Sequence, residues 1–110
     1  MKIAIRGLKD LIVIEQNDIL YCQADGRYTR IYMDSDKTIL TTHLLKEIES
    51  VLSPKYFCRI HNSYLVNLNH IKRIRGGKKI LLKGDAEIPI AKRRQKIFFR
   101  GITALDVEFV

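Results

Sequence analysis

Ile19-Leu20-Tyr21-Cys22-Gln23-Ala24, then Asp25-Gly26-Arg27, then Tyr28-Thr29-Arg30-Ile31-Tyr32-Met33, is the stretch whose reading decides the fold class. An Asp-Gly pair supplies the positive φ that a tight hairpin turn requires. The flanking runs are rich in the β-branched, aromatic and aliphatic residues that strands carry. The stretch therefore reads as an antiparallel hairpin. The same signature recurs outward from it. Gly76-Gly77 lies between His70–Arg75 and Lys78–Lys83, and Gly84-Asp85 precedes Ala86–Ile90. Asp34-Ser35-Asp36 is a polar turn leading into a short strand, Thr38–Thr41. Upstream, Ile3–Arg6 and Leu11–Ile14 form a hairpin about Gly7–Asp10, and Tyr64–Asn67 adds another strand. Turns this frequent require short antiparallel strands.

One helix interrupts the pattern. In Thr42–Leu52, the apolar Leu44, Leu45, Ile48, Val51 and Leu52 share one face of a 3.6-residue period, with Lys46, Glu47, Glu49 and Ser50 opposite. Thr42 suits the N-cap, and Ser53-Pro54 ends the helix. Ala91–Ile102 reads as a short helix or turn. The fold class is mostly β, with one amphipathic helix over about 42–52 and this short helix or turn near the C-terminus.

A chain of 110 residues with 46% apolar side chains fits a single domain spanning 1–110 with one packed core. It has no run approaching the roughly 18 apolar residues of a membrane span. Met1-Lys2-Ile3-Ala4-Ile5-Arg6 lacks a signal peptide's apolar run and cleavage site, so a cytoplasmic location is expected. Cys22 and Cys58 are too few and too far apart for a disulfide framework or a zinc site, and read as buried thiols. The net charge of +8 is unevenly spread. Residues 1–54 carry 7 basic and 8 acidic side chains, whereas residues 55–100 carry 13 and 2. Such a one-sided field suits a polyanion. A solvated basic face is the plain alternative.

Enzyme readings fare poorly. Nucleophile-elbow, phosphate-loop and zinc-protease motifs are all missing. Cys58 and His61 stand three apart on a β segment, so their side chains diverge unless a bulge intervenes. His43, His61 and His70 share no metal-ligand spacing. No metal or cofactor is expected.

Nucleic-acid features are stronger. Three segments beside turns mix basic, amide and aromatic residues: Gly26–Arg30, Arg59–Tyr64 and Ala91–Lys96. Arg and Lys offer donors to guanine, and Asn offers the donor–acceptor pair that fits adenine. Lys72, Arg73, Arg75, Lys78 and Lys79, around Gly76-Gly77, suit phosphates. Taken singly, each has a bland reading. Arg27 and Arg30 suit a solvated hairpin, Asn62 suits a self-bonded loop, and Tyr28, Tyr32 and Tyr64 suit a half-buried sheet.

Phe57-Cys58-Arg59-Ile60-His61-Asn62-Ser63-Tyr64-Leu65-Val66-Asn67-Leu68 closely resembles the signature of LytTR-type DNA-binding domains of bacterial response regulators. Asp18-Ile19-Leu20-Tyr21 with Asp25-Gly26-Arg27-Tyr28 resembles the family's strand and hairpin. Leu44-Leu45-Lys46-Glu47-Ile48 resembles its helix, and Ile88-Pro89-Ile90-Ala91-Lys92-Arg93-Arg94 its basic segment. The resemblance covers about residues 3–102. It implies an elongated arrangement of small antiparallel sheets, loops entering successive major grooves, and a bent duplex. Carried over, base contacts fall at Tyr28, Asn62 and Lys92. Lys92 stands where Arg is usual, so one ammonium replaces a bidentate fork. Ala91 stands where Ser is usual. His61 and Ser63 would brace the loop. Arg27, Arg30, Lys72, Arg73, Arg75, Lys78, Lys79, Arg93 and Arg94 would hold phosphates or groove edges. The resemblance further implies direct-repeat sites, self-association on DNA and, in members that carry one, a receiver domain; none is expected within this chain.

The expected function is thus sequence-specific binding of double-stranded DNA for transcription regulation. Two alternatives stand beside it: a single-strand or RNA binder stacking bases on Tyr28, Tyr32 and Tyr64, and a β module whose basic face docks an acidic protein.

Overall fold

A computed structural model describes all residues, 1–110. Strands β1 (Lys2–Arg6) and β2 (Leu11–Glu15) pair as a hairpin. Strands β3 (Ile19–Asp25), β4 (Tyr28–Met33), β5 (Thr38–Thr41), β6 (Phe57–His61) and β7 (Tyr64–Asn67) form an antiparallel sheet in the order β5-β4-β3-β7-β6. Strands β8 (Ile71–Arg75), β9 (Lys79–Leu82) and β10 (Glu87–Pro89) form a third sheet, with β9 central. Helix α1 (Leu45–Val51) sits between β5 and β6, and α2 (Gln95–Thr103) follows a 3-10 turn at Lys92–Arg94. The molecule is elongated, 46 × 27 × 24 Å. No helix is long and apolar enough to cross a membrane.

The five-stranded sheet is the middle layer. Registers Cys22↔Ile31 and Cys22↔Leu65 put these three side chains on one face. There they pack with Ile5 of the first hairpin and with Leu45, Ile48 and Leu52. Cys58, Ile60 and Val66 face the other way, against Ile80, Leu82 and Ile88 of the third sheet and Phe98 and Ile102 of α2. Strand alternation thus feeds two cores from one sheet.

The strands given bounds from the sequence lie within a residue or two of them, and β6 adds a strand where the sequence reads only as a β segment around Cys58 and His61. The first helix departs from its expected bounds. It begins at Leu45, not near Thr42, because tertiary bonds hold the preceding turn. The Thr41 hydroxyl donates to the Arg6 carbonyl at 2.8 Å and accepts from His43 N–H at 3.2 Å. The Thr29 hydroxyl donates to the His43 carbonyl at 2.7 Å. Leu44 takes the N-cap position, and its N–H donates to Glu47 Oε1 at 2.8 Å. Leu44 and Val51, expected on the apolar face, are 59% and 54% exposed. Leu45, Ile48 and Leu52 alone bury the helix. Its end is as read: Leu52 is already extended ahead of Ser53-Pro54.

Candidate nucleic-acid interface

The β3–β4 turn and the β6–β7 turn emerge at the same end of the middle sheet. Gln23 pairs with Tyr64, and Ala24 N–H donates to the Ser63 carbonyl at 2.9 Å. The tip beyond, at Gly26 (φ +60°), faces open space. The turn before α2 is fastened to the same loop. Ala91 N–H donates to the Ile60 carbonyl at 2.8 Å, Arg94 Nη1 to the Arg59 carbonyl at 3.2 Å, and Arg93 Nη2 to Asn62 Oδ1 at 2.7 Å. The β8–β9 turn joins through Ile90 N–H on the Lys78 carbonyl at 2.7 Å. Gly77 (φ +67°) passes beneath Phe99 of α2, where a Cβ would stand 3.5 Å from the ring. Four turns from four separate regions of sequence are therefore bonded one to the next.

Along this line, Tyr28, Asn62 and Lys92 are exposed. Arg27, Arg73, Arg75 and Lys78 are exposed as well, and none of them pairs with a carboxylate. Other expected cations are already paired: Arg30 with Asp25 at 2.8 Å, Lys72 with Asp85 at 3.6 Å and Lys79 with Glu87 at 3.0 Å. The Lys79 ammonium, then the Arg75 charge, hold the Glu87 carboxyl below its ordinary value. Arg94 is half-buried, with its Nε enclosed and unpartnered; it fastens the turn to β6. Lys92, Arg93 and Arg94 crowd the start of α2, where the helix dipole disfavours cations by about 0.3–1 kcal/mol each. Helix formation alone does not call for them there.

The loop itself is held from behind. His61 Nδ1 accepts from Ser63 N–H at 3.1 Å, and its ring lies edge-on to Tyr64 at 5.5 Å. Arg59, absent from the expected site residues, does the most. Its Nε donates to the His61 carbonyl at 3.1 Å and its Nη2 to the Asn62 carbonyl, while Nη1 lies 3.7 Å from Glu49 of α1. Burial pulls the Arg59 pKa below its ordinary value and Glu49 opposes that. The register shift between Arg59 and His61 brings the guanidinium round to the loop. Strand alternation alone gives no hint of it.

That same bulge is the condition under which Cys58 and His61 could meet. They serve different neighbours instead. His61 is engaged by Ser63, and Cys58 lies in the second core, where burial pushes its thiol up to about 11. Cys22 is pushed up to about 12 by burial. The tyrosines are mostly engaged too. Tyr21 stacks on Tyr32 at 4.4 Å, and Gln23 bridges the hydroxyls of Tyr64 (3.2 Å) and Tyr32 (3.1 Å). Of Tyr28, Tyr32 and Tyr64, only Tyr28 stands exposed.

The family model for the LytTr DNA-binding domain matches residues 9–102. The sensory transduction protein LytT of Oceanobacillus iheyensis is 35% identical over 107 residues, covering 92% of this chain and 44% of that protein. The transcriptional regulatory protein YpdB of Escherichia coli K12 is 34% identical over 93 residues, covering 80% and 38%. A solved LytTr DNA-binding domain of a methyl-accepting/DNA response regulator from Bacillus cereus shares the fold. Its TM-score is 0.79 at 21% identity, over 92% of this chain and 95% of that one. The chain spans less than half the length of the curated relatives it matches. With residues 9–102 matched in chain order, it belongs to the LytTR DNA-binding domain family.

Proposed function

We propose that this domain binds double-stranded DNA with sequence preference and acts as the output unit of a transcription regulator in the cytoplasm. One observation carries the reading: turns distant in sequence are hydrogen-bonded into a single line, and that line bears cations without acidic partners. A two-stranded tip such as β3–β4 fits the major groove, which is about 12 Å wide. In this reading Tyr28, Asn62 and Lys92 meet base edges. Arg27, Arg73, Arg75 and Lys78 hold phosphates and so fix position. Arg30, Lys72 and Lys79 assist once their carboxylate partners are displaced. Arg59, His61, Ser63 and Arg94 set the shape of the loop. No part of this arrangement performs covalent chemistry.

Duplex is favoured over single strands because single-strand binders need free aromatic platforms. Tyr32 and Tyr64 are tied into the sheet through Gln23. Of the relatives above, one is named a transcriptional regulatory protein and one a sensory transduction protein, each more than twice this chain's length. A receiver or sensing unit elsewhere in a longer protein, and paired domains on direct repeats, complete the proposal. Competition settles the central claim. A duplex selected from a random pool should be displaced by its own sequence and resist a large excess of either single strand. Equal displacement by single strands would refute it. So would capture of an acidic protein without any retardation of DNA.

A further inference from the structure

We infer that Arg93 determines base specificity by holding the Asn62 amide, turning that side chain from a reader of adenine into part of a reader of guanine; this rests on the duplex-DNA reading above. A free asparagine amide offers one acceptor and a pair of donors, which match adenine N6 and N7. The Asn62 amide is not free. Its Oδ1 accepts from Arg93 Nη2 at 2.7 Å, the length of a charge-assisted bond. Both side chains are exposed, so this contact faces outward. The backbone beneath is pinned by Arg59 on the Asn62 carbonyl and by His61 Nδ1 on Ser63 N–H. Arg94 N–H donates to the Ala91 carbonyl at 2.8 Å, which fixes the turn that carries Arg93.

With Oδ1 turned to the guanidinium, Nδ2 is left facing away with both of its N–H groups. The guanidinium has further N–H donors in the same fork. The pair therefore presents donors. Guanine offers two acceptors in the major groove, O6 and N7. Adenine offers N7 beside an amino donor, and that amino group would have to reach Oδ1 alongside a cation. Donor against cation is repulsive, so adenine is rejected and guanine accepted. The cations crowding the start of α2 against its dipole then have a use that helix formation does not supply.

The test is selection from a random duplex pool with three proteins: the unaltered chain, Arg93→Ala and Asn62→Ala. The unaltered chain should enrich guanine at one position that Asn62→Ala relaxes. Arg93→Ala frees Oδ1 and should move that position toward adenine, changing the guanine-to-adenine ratio by roughly tenfold. Arg93 bonds only Asn62 and is exposed, so its loss leaves the fold intact. Retention of guanine, with Arg93→Ala weakening every duplex alike, would make Arg93 a phosphate contact and overturn the inference. Adenine at the Asn62-sensitive position in the unaltered chain would overturn it equally. Failure of the unaltered chain to enrich any duplex would instead overturn the DNA-binding reading, and this assignment with it.

Discussion

Lys78 and Lys79 are neighbours in sequence but differ in the free charge they offer, and the difference predicts how salt should act. Each phosphate neutralised by a cation contributes about 0.9 to the slope of log K against log salt. Lys78 has no carboxylate partner, whereas Lys79 Nζ lies 3.0 Å from Glu87 Oε1. A lysine already paired with a carboxylate brings little net charge to a phosphate. If Arg27, Arg73, Arg75 and Lys78 each neutralise one phosphate, the unaltered slope is about −3.6. Lys78→Ala should reduce it by about 0.9, and Lys79→Ala by less than about half of that. Glu87→Gln releases Lys79 and should steepen the slope by up to about 0.9. Fluorescence anisotropy on a selected duplex, titrated at several salt concentrations from about 50 to 200 mM, measures all four proteins. Equal losses from Lys78→Ala and Lys79→Ala, with no effect of Glu87→Gln, would refute the claim that pairing in the free domain decides which cations count.

Arg59→Ala strips the donor from the His61 and Asn62 carbonyls. It should weaken binding to the selected duplex by about 1–3 kcal/mol while leaving non-specific affinity nearly unchanged; equal loss on both would make Arg59 an ordinary phosphate contact. Phe98 is fully buried in the second core, and Phe98→Ala should cost about 3–5 kcal/mol in urea unfolding. A loss under about 1 kcal/mol would mean that α2 is not docked as described. The Leu44 N–H, then His43, hold the Glu47 carboxyl below its ordinary 4.5. A carboxyl depressed on folding gives stability that is present above that value and lost as pH falls through the folded pKa. Thermal melts of Glu47→Gln should therefore show a shallower fall below pH 4.5 than the unaltered chain; parallel curves would remove Glu47 from the helix cap.

Most of the fold was legible because its turns impose strict demands on the backbone. Gly26, Gly76, Gly77 and Gly84 have φ of +60°, +58°, +67° and +84°. Glycine tolerates such values at no steric cost, so the turns announce themselves in sequence. The start of α1 was not legible. Thr42 has the chemistry of a cap, but hydroxyl bonds from Thr29 and Thr41 to distant carbonyls hold the turn open until Leu44. The site shows the same division. The residue types and their nearness to turns were local information. Arg59's grip on the loop depends on a β-bulge, and the pairing of Lys72 with Asp85 and Lys79 with Glu87 depends on strand register. None of these could be read from spacing.

The two-faced core bears directly on recognition. Reading bases requires tips that stay in place, and hairpin tips are ordinarily the most mobile parts of a domain. In this fold β3, β4, β6 and β7 each bury side chains in the middle layer: Cys22, Ile31 and Leu65 on one face, Cys58, Ile60 and Val66 on the other. A one-residue slip would move a tip by about 3.3 Å, close to one base step. It would also turn the slipped strand's side chains to the opposite face. At roughly 1.5–3 kcal/mol for each large side chain drawn from its core, slipping two strands would consume most of the 5–15 kcal/mol that stabilises a domain. The tips therefore cannot shift register without unfolding the sheet behind them. In the proposed reading, sequence preference then rests on the side chains at the tips, free to vary, while the sheet fixes where those side chains stand.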